Sequence, residues 1–129
     1  MMIYEFYLPY PPSVNNYYVK TQRGVFISAK GEKFREQVAE AVMQQMPGVN
    51  ISEPVFMEVV LFPPDNRRRD VDNYLKSLMD AITHTSFWSD DCLVDQLFIY
   101  RGEVSSKNGH CLVIVTDAGP KLKVGQKPT

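Results

Sequence analysis

Basic and acidic side chains lie next to one another in the middle of this chain, in a pattern suited to binding and cleaving a phosphodiester. Residues 66–76 read Asn-Arg-Arg-Arg-Asp-Val-Asp-Asn-Tyr-Leu-Lys, and a second acidic pair, Asp90 and Asp91, follows. Guanidinium groups bind phosphate oxygens, and carboxylates bind hard divalent cations such as Mg²⁺. Few reactions need both groups within one short stretch, and the cutting of a nucleic acid is foremost among them.

The acids are spaced so that they could share one cation. Asp70 and Asp72 fall at the start of a predicted helix, and Asp90 and Asp91 begin the strand that follows, which could return near the same helix end. Two or three carboxylates suffice for Mg²⁺, because this ion usually keeps several waters. Such a site could activate water and polarise the scissile phosphate, while Lys76 could stabilise the added negative charge of the transition state or help to position the water.

The same residues also have structural explanations. An Asp at a helix N-cap or in the first turn gains ~0.3–1 kcal/mol, which would account for Asp70 and Asp72. Lys76 could pair with Asp72, one turn earlier, for only ~0.3–0.5 kcal/mol. Three carboxylates clustered without a cation would nevertheless be an unusual structural choice, since two of them about 4 Å apart repel by ~4 kcal/mol at an effective dielectric constant near 20.

Hydrophobic periodicity predicts the elements that must position these side chains. Apolar stripes predict helices over 29–46 and 71–82, and apolar runs predict strands over 2–8 and 55–62, the latter central because both its faces are apolar. Residues 17–27 are interpreted as a hairpin or an irregular arm. Residues 93–104 and 110–117 are predicted to form an antiparallel pair joined by a turn over Ser105 to Gly109, because Asn108-Gly109 favours a turn. Together these patterns indicate an α+β fold, in which a mixed or antiparallel β-sheet is packed by two main helices.

The whole chain bounds the possible functions. Its 129 residues fit one domain, taken as residues 1–117, and residues 118–129, with three lysines and little to bury, are predicted to form a mobile basic tail. The net charge of −1 does not indicate a general nucleic-acid binder, so the nucleic-acid hypothesis depends on the local cluster of charges.

No apolar run reaches the ~18 residues of a membrane helix, and the N-terminus lacks a signal-peptide pattern, so we expect a cytoplasmic protein without a membrane partner. Without a Walker A loop or a GxGxxG motif, we expect no nucleotide cofactor. Cys92 and Cys111 are predicted to be buried free thiols.

Several motifs of the chain resemble those of the RusA family of Holliday junction resolvases. They are the run Arg67-Arg68-Arg69-Asp70-Val71-Asp72-Asn73, then Lys76, Asp80-Ala81 and Phe87-Trp88-Ser89-Asp90-Asp91. A stretch near the N-terminus, Pro11-Pro12-Ser13-Val14-Asn15-Asn16-Tyr17-Tyr18, is similar to the other signature of that family. The likeness extends from about residue 3 to residue 117, nearly the whole predicted domain.

The resemblance implies a RusA-like homodimer that cuts four-way DNA junctions with Mg²⁺, or with Mn²⁺ in its place. Two symmetric sites would nick opposing strands during DNA recombination and repair. By position, Asp70, Asp72 and Asp91 match the metal-binding catalytic acids, and Lys76 matches the catalytic lysine. The residues that match DNA-contacting positions are Ser13, Val14, Asn15, Asn16, Asn66, Arg67, Arg68, Arg69 and Asn73. The resemblance places the protein in a bacterial cytoplasm, encoded by a chromosome, a prophage or a phage.

Two other functions remain open from the sequence. A DNA-junction-binding module without catalysis would use its acids only to cap a helix and its arginines to hold phosphates. A metal-dependent phosphohydrolase acting on free nucleotides would use the same acids, although three consecutive arginines suit a polymer backbone better than one small ligand. Paired, metal-dependent nicks in a four-way junction would distinguish the endonuclease from both.

Overall fold

A computed structural model of the chain describes residues 2–105 and 107–129. Met1, the first residue of the predicted domain, and Ser106, part of the predicted turn, lie outside the described residues. The strands are β1 (Ile3–Pro9), β2 (Tyr18–Thr21), β3 (Gly24–Ile27), β4 (Val55–Phe62), β5 (Val94–Arg101) and β6 (His110–Asp117). The α-helices are α1 (Val14–Tyr17), α2 (Ala29–Gln45) and α3 (Leu75–His84), and two 3₁₀ helices span Val71–Tyr74 and Asp91–Leu93.

The predicted α+β class is confirmed. Four strands form a mixed sheet in the order β1-β6-β4-β5, and β2 and β3 form a separate antiparallel hairpin. This hairpin is the first of the two alternatives that the sequence left open for residues 17–27. β4 is central, as predicted, since it pairs with β6 on one side and with β5 on the other.

The predicted pairing of residues 93–104 with 110–117 is wrong. β4 lies between β5 and β6, and β5 runs parallel to β4. Asn108 and Gly109 do adopt left-handed conformations, with φ of 66° and 72°, but a Cβ on Gly109 would lie 2.8 Å from the carbonyl oxygen of Phe62. The turn therefore crosses the end of β4 instead of closing a hairpin. The physical reason is that β4, which is apolar on both faces, gains most from the central position.

Both long helices pack on one face of the sheet. Their buried residues are Phe34, Val38 and Val42 of α2 and Leu78, Ala81 and Ile82 of α3, which meet the core side of β1, β4 and β6. Phe87 and Trp88 are fully buried beside them, and the Trp88 indole donates to Thr83 Oγ1 at 2.7 Å. This anchor fixes the connection that leads from α3 toward Asp90 and Asp91.

The opposite side of the sheet, which we call the outer face, carries apolar side chains that are exposed or half-buried. By strand register they are Ile3, Tyr7, Phe56, Val60, Phe62, Phe98, Tyr100, Leu112 and Ile114. Only Val60 among them is buried. A sheet face of this composition is unusual for a surface that stays in water.

Two smaller features complete the fold. Cys111 is a buried free thiol, as predicted, whereas Cys92 is exposed, because it belongs to the 3₁₀ helix Asp91–Leu93 and not to a strand. After β6 ends at Asp117, Gly119 donates to the Gln96 side chain at 2.8 Å and Lys121 lies 3.8 Å from Asp95. The start of the predicted tail is thus held against β5. Within the described residues, no helix is long and apolar enough to cross a membrane.

Candidate active site

The segment that precedes α3 exposes two carboxylates. The sequence predicted a single helix from Val71 onward, but the structure begins it as the 3₁₀ helix Val71–Tyr74, in which the half-buried Val71 and Tyr74 share a face because 3₁₀ geometry repeats every third residue. Asp70 occupies the N-cap position, as expected, yet its side chain makes no capping hydrogen bond. Helix capping therefore does not explain the exposed Asp70, whereas Asp72 lies in the first turn, where a negative charge is favoured.

Lys76 lies on the first turn of α3 and is exposed. The ion pair with Asp72 that would have explained it is not among the salt bridges of the described residues. The 3₁₀ helix Asp91–Leu93 packs against α3, which brings the second acidic segment to the helix that bears the lysine.

Asp90 and Asp91 do different work. Asp90 Oδ1 accepts from the backbone N–H of Cys92 at 3.0 Å and so caps the short helix, and this hydrogen bond, with one from Asp91, lowers the pKa of Asp90. The pKa of Asp91 is raised, first by partial burial and then by its interaction with Asp90, while the charge of Lys76 opposes the shift. The acid beside the lysine is thus Asp91, and its neighbour is its structural support.

The fit of a divalent cation rests on the donor chemistry. Asp70, Asp72 and Asp91 offer only carboxylate oxygens, the ligands that Mg²⁺ prefers. However, no three Asp, Glu, His or Cys side chains in residues 2–105 and 107–129 lie close enough together to form a metal site. The three-acid ligand set therefore remains a prediction. Asp70 and Asp72 lie on the turn before α3, and Asp91 lies on the 3₁₀ helix that packs against α3.

The two segments predicted to contact DNA meet across one cleft. An open cleft of about 390 Å³ is lined by Ser13 and Asn16 from the N-terminal segment and by Arg67 and Arg68 from the arginine run, with Lys30 of α2 between them. Arg67 and Arg68 are exposed and available to a phosphate backbone. Lys30 was not predicted from the sequence, because nothing in its local pattern distinguishes it from a solvated helix residue.

The remaining predicted DNA contacts are distributed around this cleft. Val14 and Asn15 line a neighbouring hollow with Lys20 of β2. Asn66 is exposed beside the arginines, and Asn73 is half-buried in the 3₁₀ helix. The structure describes where these side chains lie, and their contact with DNA stays a prediction.

Arg69 differs from the two arginines before it. Its Nη1 lies 2.7 Å from Asp65 Oδ1 and also donates to the carbonyls of Asp65 and Arg67, and its guanidinium stands over the Tyr10 ring at 5.9 Å. Only 13% of its side chain is exposed. The hydrogen bond to Asp65 is the main reason that the pKa of Arg69 is raised. Arg69 thus holds the loop that presents Arg67 and Arg68.

The sequence did not predict a half-buried cluster of polar side chains near the site. The Tyr17 hydroxyl donates to Asp80 Oδ2, and Arg35 donates to the same oxygen from Nη2 at 2.7 Å and to the Tyr17 hydroxyl from Nε at 2.8 Å. Tyr17 is fully buried, so its ring packs in the core and is not available to stack on a base. Asp80 lies one turn after Lys76, and that spacing was the only local signal that could have pointed to the cluster.

The chain is similar to known endodeoxyribonucleases. The family model described as "Endodeoxyribonuclease RusA" matches residues 9–116. The chain is 38% identical over 99 residues to the crossover junction endodeoxyribonuclease rusA of Enterobacteria phage HK97, a match that covers 77% of this chain and 82% of that protein. It is 34% identical over 119 residues to the crossover junction endodeoxyribonuclease RusA of Escherichia coli K12, and 35% identical over 119 residues to that of Enterobacteria phage 82, each match covering 92% of this chain and 98% of the relative.

Proposed function

The chain belongs to the RusA family of endodeoxyribonucleases, and on that basis we propose that it resolves Holliday junctions by paired, symmetric nicks. Two observations support the proposal: the 3₁₀ helix that carries Asp91 packs against α3, which carries Lys76, and Arg67 and Arg68 line a cleft together with Tyr74, two residues before Lys76. A protein that only held DNA would need the cleft but not the acid and the lysine. The reaction is phosphodiester hydrolysis and requires no nucleotide cofactor.

The proposed cofactor is Mg²⁺, with Mn²⁺ as a substitute. Asp70, Asp72 and Asp91 would hold it, and when bound it would supply activation of a water and polarisation of the phosphate. Arg67 and Arg68 would bind phosphates that flank the scissile bond and fix the strand in the cleft. Lys76 would stabilise the negative charge that grows on the phosphoryl oxygens during attack, since it lies on α3, the helix against which the segment with Asp91 packs.

Symmetric nicking calls for two active sites, and we propose that a homodimer supplies them. The outer face of the sheet offers the interface, because its exposed aromatic and aliphatic side chains come from all four strands. A second copy of the same face would be self-complementary about a twofold axis, which is the common arrangement of small homodimers. Phe98 and Tyr100, with ring centroids 4.9 Å apart, would form an aromatic anchor within it.

A non-catalytic junction-binding module is the second candidate. The observation that favours it is the spacing of the carboxylates, which form no three-ligand site among the described residues. Under this alternative the chain would bind four-way junctions equally well with EDTA or Mg²⁺ and would leave every strand intact. Because its relatives come from Escherichia coli and from phages, we propose for either candidate that the chain acts in a bacterial cytoplasm, encoded by a chromosome or by a phage.

One experiment decides between these functions. The chain is incubated with a labelled four-way junction, a linear duplex of the same sequence, and free nucleotides, each with Mg²⁺ or with EDTA. Nicks at symmetric positions of the junction, dependent on Mg²⁺ and absent from Asp91→Asn, are expected. Junction binding without nicks would overturn the catalytic proposal in favour of the binding module, and turnover of nucleotides would indicate a phosphohydrolase.

A further inference from the structure

The cluster of Tyr17, Arg35 and Asp80 joins three helices at one oxygen atom. Tyr17 ends α1, Arg35 lies on α2 and Asp80 lies on α3, and Asp80 Oδ2 accepts hydrogen bonds from both partners. Burial alone would raise the pKa of Asp80, but the hydrogen bonds from Tyr17 and Arg35 outweigh it, so the pKa is lowered. Asp80 is therefore a carboxylate held ionised in a half-buried place.

This carboxylate lies within reach of the proposed active site. Lys76 and Asp80 are four residues apart on α3, a spacing at which side chains of opposite charge pair on a helix. An Asp80 without its own partners would compete with Asp91 for the lysine ammonium.

Two further contacts tie the predicted DNA-binding segment to the same helix. Ser77, the residue after Lys76, is fully buried and donates to the Pro12 carbonyl at 2.6 Å. The Tyr17 carbonyl in turn accepts from the backbone N–H of Ser28 at 2.9 Å, and an added Cβ on Gly31 would lie 2.5 Å from that carbonyl. Residues 13–16 are thus fastened on both sides, to α3 and to α2.

We propose that Arg35, with Tyr17, is a positioning residue that occupies Asp80 and so leaves Lys76 free to serve the active site. This inference rests on the proposed endonuclease function and adds residues that do not touch the reacting groups. The contacts of Ser77 with Pro12 and of Ser28 with Tyr17, which do not involve Arg35, keep the segment 13–16 beside α3, so that DNA seated against it is presented to Lys76. A cluster that merely stabilised the fold would have no reason to affect the cleavage step separately from junction binding.

The test is a double-mutant cycle on junction cleavage. Arg35→Gln releases Asp80, and kcat at saturating junction and Mg²⁺ is expected to fall roughly fivefold, the scale of coupling between groups in contact. Junction affinity in EDTA should change by less than about twofold, because the cleft residues are untouched. Arg35→Gln combined with Asp80→Asn should recover most of the lost kcat, since the freed carboxylate is gone, and Asp80→Asn alone completes the cycle. Arg23→Gln, on the exposed hairpin turn, is the matched control.

The outcomes separate this inference from the proposed function. A wild-type chain that cleaves, together with a double variant as slow as Arg35→Gln or slower, would overturn the positioning role and leave the endonuclease intact. A wild-type chain that does not cleave would remove the proposed function itself. If Arg35→Gln does not fold by circular dichroism, Tyr17→Phe removes the other donor to Asp80 while keeping the ring, and the same recovery with Asp80→Asn decides the question.

Discussion

The Arg69 guanidinium lies 2.7 Å from the Asp65 carboxylate, four residues earlier, and this pair divides the three consecutive arginines into two kinds. All three arginines line the cleft, but Arg69 is mostly buried and supports the loop, whereas Arg67 and Arg68 are exposed. Arg67 Nε also lies 3.5 Å from Asp65 Oδ2, although 82% of the Arg67 side chain is exposed. The difference was invisible in the sequence, where the three residues are identical and adjacent. The difference predicts different effects for the same substitution at Arg68 and at Arg69.

Arg68→Gln and Arg69→Gln are expected to fail in different ways. Arg68→Gln should weaken junction binding and lower the slope of log affinity against log salt by about 0.9, the value for one lost phosphate contact, with an unchanged melting temperature. Arg69→Gln should lower the melting temperature by a few degrees, because a mostly buried donor set is lost. Binding titrations at several salt concentrations and thermal unfolding measure both. Equal salt slopes for the two variants would contradict the division.

The three predicted metal ligands are expected to behave alike in catalysis. Asp70→Asn, Asp72→Asn and Asp91→Asn should each lower junction cleavage by at least ~100-fold, since each removes a charged ligand from the proposed cation. Junction binding in EDTA should persist in all three, because the arginine cleft is intact. Asp95→Asn, which changes an acid on β5, is the matched control. Cleavage at the wild-type rate in any of the three would remove that residue from the site.

Added Mg²⁺ is expected to stabilise the folded chain. A ligand that binds only the folded state adds RT ln(1 + [L]/Kd), about 2.7 kcal/mol at a concentration of one hundred times Kd. The melting temperature of the wild-type chain should therefore rise with Mg²⁺, and Asp91→Asn should abolish the rise. An equal rise in both proteins would indicate general salt effects and not a site at Asp91.

Local patterns in the sequence predicted much of this fold. The apolar stripe over Phe34, Val38 and Val42 marks one face of α2, and the two apolar faces of β4 mark a central strand; each depends only on neighbours along the chain. The predicted pairing of β5 was wrong because an Asn-Gly pair predicts a local turn conformation but does not determine which strands pair with each other. Strand order depends on which strand gains most from burial on both sides, and that is a property of the whole sheet.

For the candidate site too, the sequence predicted local features but not contacts between distant segments. The acids and Lys76 could be named from their types and spacing, but the role of each depends on contacts between distant segments. Asp90 caps the short 3₁₀ helix, whereas the pKa of Asp91 is affected by the charge of Lys76, and nothing in the sequence distinguishes these two adjacent acids. Asp80 gave no local signal beyond its spacing from Lys76, because its partners Tyr17 and Arg35 are 63 and 45 residues away.

The stability of the chain is expected to depend on Asp80 at acid pH. Its pKa in the folded chain is lower than the ordinary value of about 4, because hydrogen bonds from Tyr17 and Arg35 outweigh the effect of burial. The folded state then binds fewer protons than the unfolded state, so the contribution is fully present well above pH 4 and is lost as pH falls through the folded pKa. The melting temperatures of wild type and Asp80→Asn should differ at pH 7 and converge below about pH 4. Parallel curves over this range would contradict the assignment.

The outer face of the sheet makes the proposed homodimer testable without DNA. Phe98 lies on β5 of the four-stranded sheet and is 53% exposed. Burial of such a ring against a partner contributes roughly 1.5–3 kcal/mol to the free energy of association. Phe98→Lys should therefore shift the sedimenting species toward half the mass, because a charge would be buried without a partner. Met43→Lys is the matched control, since Met43 is 74% exposed on α2, which packs on the opposite side of the sheet. The control should retain the wild-type mass. Two results would contradict an interface on this face. One is a wild-type chain that sediments as a monomer at micromolar concentration; the other is a dimer that Phe98→Lys leaves intact while Met43→Lys dissociates it.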